Sequence, residues 1–151
     1  MARVDNEVNL LPSVLDRLLD NEPGVSREPA PSRSQNLRQL KLAVARDLEA
    51  LLNARQEVLE ELPQEFTEVA RSLVTYGLPD FTSYSLLNDS DRLRIRRALE
   101  RAIATFEPRL ERVRVTLEAP RVYDQALSFR VEALLRVEPM PEPVRFDAML
   151  Q

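Results

Sequence analysis

Glu107, Pro108 and Arg109 are the residues whose types and spacing come nearest to built-in chemistry. Proline disfavours helical geometry in the residue before it, so Pro108 pushes Glu107 out of a helix and fixes the backbone between a carboxylate and a guanidinium. From so rigid a corner the two side chains can project and make charge-assisted, bidentate bonds across an interface. The plainer alternative is that Glu107 pairs with an Arg of its own chain while Pro108 merely ends the helix. Few other reactive groups are available. The 151 residues include no Cys, His or Trp, which removes disulfide frameworks, Cys/His zinc sites, and Ser-His-Asp or Cys-His catalysis. What remains is carboxylates, Tyr, Arg and one Lys, Lys41.

The 25 acidic residues raise the question of glycoside hydrolysis. That reaction needs two carboxylates about 5 to 9.5 Å apart around a sugar cleft, usually with aromatic platforms, and no pair is singled out by spacing. An adjacent Arg also keeps Glu107 ionised, the wrong state for a general acid. The reading is therefore of a protein that is not an enzyme and has no cofactor or metal. Arg92 to Arg101 form a basic cluster, but in a chain of net charge −4 without interleaved aromatic residues. A solvated helix face or a protein interface explains it better than nucleic acid. All but one of the 21 basic residues are Arg, a bias that suits ordered ion pairs and interfaces and equally suits the codon usage of a high-GC genome. No apolar run approaches the roughly 20 residues that span a bilayer, so a soluble chain is expected; lack of Cys fits the cytosol.

Several elements must position the corner. Leu11, Leu15, Leu18 and Leu19 recur at helical spacing within Leu10 to Asp20, a helix of about three turns that is too short to stand alone. Asn21 to Ser34, rich in Pro and Ser, reads as a linker or as an ordered surface loop. This splits the chain into a docking helix and linker, 1–33, and a main domain, 34–151. From an N-cap at Ser34, Leu37, Leu40, Val44, Leu48, Leu51 and Leu52 mark a long helix to about Asn53 or Arg55. A second helix is expected from Pro63 to Tyr76 with Phe66, Val69, Ala70 and Leu73 as its stripe. Tyr76, Gly77, Leu78, Pro79, Asp80 and Phe81 then reverse the chain, Gly77 supplying a left-handed residue and Pro79 forbidding continuation. A third helix, capped by Asp89 or Ser90, carries Ile95, Leu99, Ala102, Ile103 and Phe106 to the corner.

Beyond the corner the apolar period drops to two. Val113, Val115 and Leu117 mark one strand, Ala126 to Val137 a second, and Val144, Phe146 and Ala148 a third. Helices first and strands last predict an α+β fold, helices packed on one face of a three-stranded antiparallel sheet. The second strand is about 12 residues, roughly 40 Å, and is expected to overhang its neighbours. Arg130, Glu132 and Arg136 would then be guards against edge pairing or selectors of a partner strand.

LLPSVLDRLLD at Leu10 to Asp20, DLEALLNAR at Asp47 to Arg55, YGLPDF at Tyr76 to Phe81 and FEPRL at Phe106 to Leu110 occur in order along nearly the whole chain. In these motifs the sequence resembles the TssE family, the small baseplate subunits of bacterial type VI secretion systems. The wider family includes the wedge subunit of contractile phage baseplates and carries a "lysozyme-like" label. The resemblance implies a structural subunit that joins TssF and TssG in a baseplate wedge, with TssK in the same baseplate, and helps start polymerisation of the sheath subunits TssB and TssC. It implies a cytoplasmic location, on the inner face of the cytoplasmic membrane. It also associates Glu107, Pro108 and Arg109 with contacts to the wedge core, and the sheet edges, including Val144 and Phe146, with the sheath. An anti-adaptor that regulates proteolysis shares the fold, and fold alone does not assign function.

Overall fold

The computed structural model describes residues 10, 13–19, 24, 33–57, 67–118 and 127–150. In chain order these form α1 (Val14–Leu18), α2 (Arg33–Asn53), two 3-10 turns (Val69–Arg71 and Leu73–Thr75), α3 (Asp89–Phe106), β1 (Leu110–Leu117), β2 (Leu127–Leu135) and β3 (Glu142–Leu150). The strands make one antiparallel sheet in the order β1-β2-β3. This is the α+β arrangement that the change of period predicts.

Apolar spacing decides what is buried. On α2, Val44, Leu48 and Leu51 lie in the core with Leu37 and Leu40 at its margin; on α3, Ile95, Leu99 and Ile103 do the same. Phe129, Val131, Ala133 and Leu135 alternate inward along β2 and close the core from the sheet side. Each fully buried Val, Leu, Ile or Phe among them contributes about 1.5–3 kcal/mol of transfer free energy. α3 is stopped at Phe106 and lies along β1, so the helix end and the strand start meet at Glu107 to Arg109.

Five features differ from the sequence reading. In place of about three turns over Leu10 to Asp20, α1 covers only Val14–Leu18, with Ser13 and Leu19 extended at its two ends and Leu10 non-helical. No α-helix runs through the described part of Pro63 to Tyr76; residues 58–66 lie outside the described residues. Ser72 is extended (φ −89°, ψ 171°) between the two 3-10 turns. Its hydroxyl donates to the Val69 carbonyl at 2.8 Å and accepts from Val74 N–H at 3.3 Å, so local serine bonds compete with the helical ladder. Leu73, placed on the stripe, is 87% exposed.

The helix boundaries also move. α3 is capped by Asn88, whose side chain accepts from Ser90 N–H at 2.9 Å, in place of Asp89 or Ser90. α2 begins at Arg33, one residue before the expected cap at Ser34.

β1 starts earlier than its alternation suggests. A bulge between Glu111 and Arg114, with Arg112 at φ 53°, shifts the register so that Leu110 also faces the core.

The expected overhang of the second strand is not found. β2 is the central strand, and all nine of its residues pair with β3 from Leu127↔Leu150 to Leu135↔Glu142. β3 begins at Glu142, ahead of the expected Val144, and includes Pro143, which an edge strand tolerates because one side of it has no partner strand.

Tyr76 to Phe81 ties α2 to the rest. Gly77 has φ 113°, and a Cβ there would lie 2.6 Å from the Ala54 carbonyl oxygen, so both conformation and space call for glycine. Leu78 N–H donates to that carbonyl and Gln56 N–H to the Leu78 carbonyl, both at 2.8 Å. Tyr76 meets Phe106 edge-on with ring centroids 5.2 Å apart, and Phe81 meets Tyr84 at 5.9 Å. Asp80 accepts from Thr82 N–H and hydroxyl at 3.0 Å.

Candidate functional site

Glu107 is the C-cap of α3, its N–H bonded to the Ile103 carbonyl at 2.8 Å. Pro108 ends the helix, and Arg109 folds back beside Glu107. Arg109 Nε donates to Glu107 Oε1 at 2.6 Å and Nη2 to Oε2 at 2.5 Å, a bidentate pair. Nη2 also donates to Asp47 Oδ2 on α2 at 2.6 Å. Asp47 Oδ1 accepts from Arg46 Nε and Nη2 at 3.0 and 2.8 Å, and Arg46 Nη2 reaches Asp16 of α1 at 2.9 Å. Asp16 and Ser13 complete a reciprocal capping box at the start of α1. One line of alternating charge therefore runs from α1 across α2 to the end of α3.

The electrostatics follow from this line. Bonds to Glu107, opposed by burial and assisted by Asp47, hold the Arg109 guanidinium ionised well above the ordinary arginine range. Burial works against ionisation of Asp16, but bonds from Ser13 and Arg46 outweigh it and its pKa is lowered. Burial, with the charges of Asp47 and Glu107, raises that of Tyr76.

A groove of about 390 Å³ opens beside the corner. Leu15, Leu51, Tyr76 and Phe106 supply its apolar walls, Ser13, Asp47, Glu107, Pro108 and Arg109 its polar side. Arg109 Nη1 is buried and has no hydrogen-bond partner among the described residues. A buried donor left unpaired carries a desolvation cost of about 1–3 kcal/mol, so an acceptor reaching Nη1 would stabilise the corner. Among the described residues no group of three or more His, Cys, Asp or Glu could hold a metal ion.

The residues singled out in the sequence are distributed as follows. Glu107 is 4% exposed and clamped within its own chain, so it does not project as the interface alternative supposed; helix end and ion pair combine to bury it. Leu15 borders the groove, while Leu18 and Leu19 lie in the open at 75% and 46% exposure; Leu11 lies outside the described residues. Arg130 pairs with Asp147 at 2.7 Å and Glu132 with Arg145 at 3.0 Å, both between β2 and β3, and Arg136, the residue after β2, pairs with Glu111 of β1 at 2.9 Å. Val144 and Phe146 sit on the core side of β3, partly covered. Sequence reasoning missed Asp16, Arg46 and Asp47 as parts of the site. The Ser-x-x-Asp spacing signals a cap at Ser13, but nothing in the sequence links Asp47 to a partner 62 positions away.

Comparison with known proteins bears on the whole arrangement. A solved structure described as "The baseplate complex from the type VI secretion system" contains a chain of similar fold, with TM-score 0.50 and 21% identity, covering 76% of this chain and 96% of that one. No curated protein sequence matches. The family described as "Baseplate wedge protein gp25" matches residues 38–140, a stretch that runs from α2 through the Glu-Pro-Arg corner and β2. The chain belongs to that family of baseplate wedge proteins.

Proposed function

We propose that this chain is a structural subunit of a type VI secretion baseplate, held in a wedge by TssF and TssG, with TssK in the same assembly. Its sheet border would meet the first sheath subunits, TssB and TssC, and help start their polymerisation. It would work in the cytoplasm at the inner face of the cytoplasmic membrane; no helix among the described residues is long and apolar enough to cross one. It would make and break no covalent bond. The observation that carries this reading is the buried, unpartnered Arg109 Nη1 beside an apolar groove, within the stretch that matches the wedge family. A backbone carbonyl or carboxylate of the wedge core, brought in with apolar side chains, would satisfy both features.

Co-expression of the chain with TssF and TssG followed by size-exclusion chromatography tests the reading. The expected result is co-elution in one complex. Separate elution, or cleavage of purified peptidoglycan that a single carboxylate substitution abolishes, would overturn it.

A further inference from the structure

The two borders of the sheet are built differently. In an antiparallel ladder successive residues turn their amide groups alternately toward and away from the neighbouring strand. Glu118 N–H bonds the Ser128 carbonyl at 2.9 Å, so beyond the bulge the odd-numbered Val115 and Leu117 turn their amides outward from β1. α3 meets those groups. Glu100 Oε1 accepts from Val115 N–H at 3.0 Å, and Arg92 donates to the carbonyls of Leu117 and Glu118, both at 3.3 Å. The same alternation makes the odd-numbered residues of β2 bond to β3, pairing Phe129 with Ala148 and Val131 with Phe146. Pro143, Arg145, Asp147 and Met149 therefore turn their backbone groups to the outer border of β3. Among the described residues no hydrogen bond covers them.

We propose that Glu100 and Arg92 close the β1 border, so that an extended segment of another chain can add only along β3. Without this closure, β3 of one copy fits β1 of the next, a head-to-tail contact that does not close on itself and grows into open chains. An acidic acceptor on the outward Val115 N–H and a cation on the outward Leu117 carbonyl take up one donor and one acceptor that an incoming strand would use, which is how a sheet edge is kept from pairing. The segment accepted at β3 is one of about seven residues with alternating apolar side chains. On the core side these would cover Val144, Phe146 and Ala148, which are only half-buried. The closure of β1 concerns this chain alone; only the identity of the added segment rests on the baseplate reading.

Amide hydrogen exchange on the intact wild-type chain tests the closure directly. Val115 is expected to exchange on the order of 100-fold or more slowly than Arg145, Asp147 and Met149. Equal rates at Val115 and Arg145 would overturn the proposal. The double variant Arg92→Ala, Glu100→Ala, checked for native circular dichroism, is expected to self-associate with rising concentration in sedimentation. Adding Arg145→Pro, which removes an outward donor of β3 and the exposed Arg145–Glu132 ion pair but no backbone bond to β2, should restore the wild-type size, and Glu100→Gln alone, which keeps an acceptor, should not associate. A double variant that keeps the wild-type size, or association that survives Arg145→Pro, would overturn it.

Discussion

The Glu-Pro-Arg corner and α1 sit on the same groove with opposite polarity. At the corner charged groups are drawn inside: Glu107 is 4% exposed and Arg109 grips both it and Asp47. On α1 apolar groups face water, with Val14, Leu15 and Leu18 at 72%, 51% and 75% exposure, while the polar Asp16 holds the helix to Arg46. Burying ions normally costs free energy and exposing leucines forgoes it. The difference teaches that the corner is part of the folded domain, whereas α1, among the described residues, meets the rest through the Asp16–Arg46 ion pair and the groove wall at Leu15, with Val14 and Leu18 left exposed.

Substitutions can separate the two roles. Arg109→Ala leaves the Glu107 carboxylate buried without its partner and should lower stability by about 3 kcal/mol, read as a shift in the denaturant midpoint; an unchanged midpoint would place the corner outside the fold's energetics. Gly77→Ala combines a positive φ with a close approach to Ala54 and should cost more than about 1 kcal/mol, visible in thermal unfolding. Converting Leu15, Leu18 and Leu19 together to Ser should alter stability by no more than about 0.5 kcal/mol per site yet weaken capture of TssF and TssG. Loss of cooperative unfolding would instead make α1 part of the core. Smallest is the effect of pH on α1. The Asp16 pKa is lowered by folding, so its contribution is fully present above the unfolded aspartate value and fades as pH falls through the folded one. Proteolysis within α1 should therefore accelerate below the ordinary aspartate range, and Asp16→Asn should remove that dependence.

Much of this arrangement was legible beforehand because it depends on period. Leucines on α2, the Ile95 to Phe106 stripe and the alternation of β2 each report a buried face, and buried faces dictate how helices and sheet stack. The region after Pro63 was misread because Val69, Ala70 and Leu73 fit a helical stripe as well as they fit two short turns, and Ser72 decides between them through bonds to its own neighbours. The overhang of β2 was misjudged for another reason. The length of one alternating segment says nothing of how far its neighbours extend, and β3, which starts at Glu142, runs the full length of β2. Half of the site was equally silent. Arg46 and Asp47 look like solvated helix residues, and their engagement with Asp16 and Arg109 depends on how α1, α2 and α3 meet in space. A motif of three consecutive residues could be seen; a relay assembled from three helices could not.

Pro143 gives the outer border of β3 an index mark. Of the four residues whose amides face outward there, it alone has no N–H to offer, so the row of donors starts at Arg145 and the row of acceptors starts two residues earlier. A guest strand that slid by one repeat of the ladder toward Pro143 would find the proline ring where it needed a donor and would forfeit a bond. Alignment at this seam would thus be written in the main chain itself, whatever side chains the guest carries.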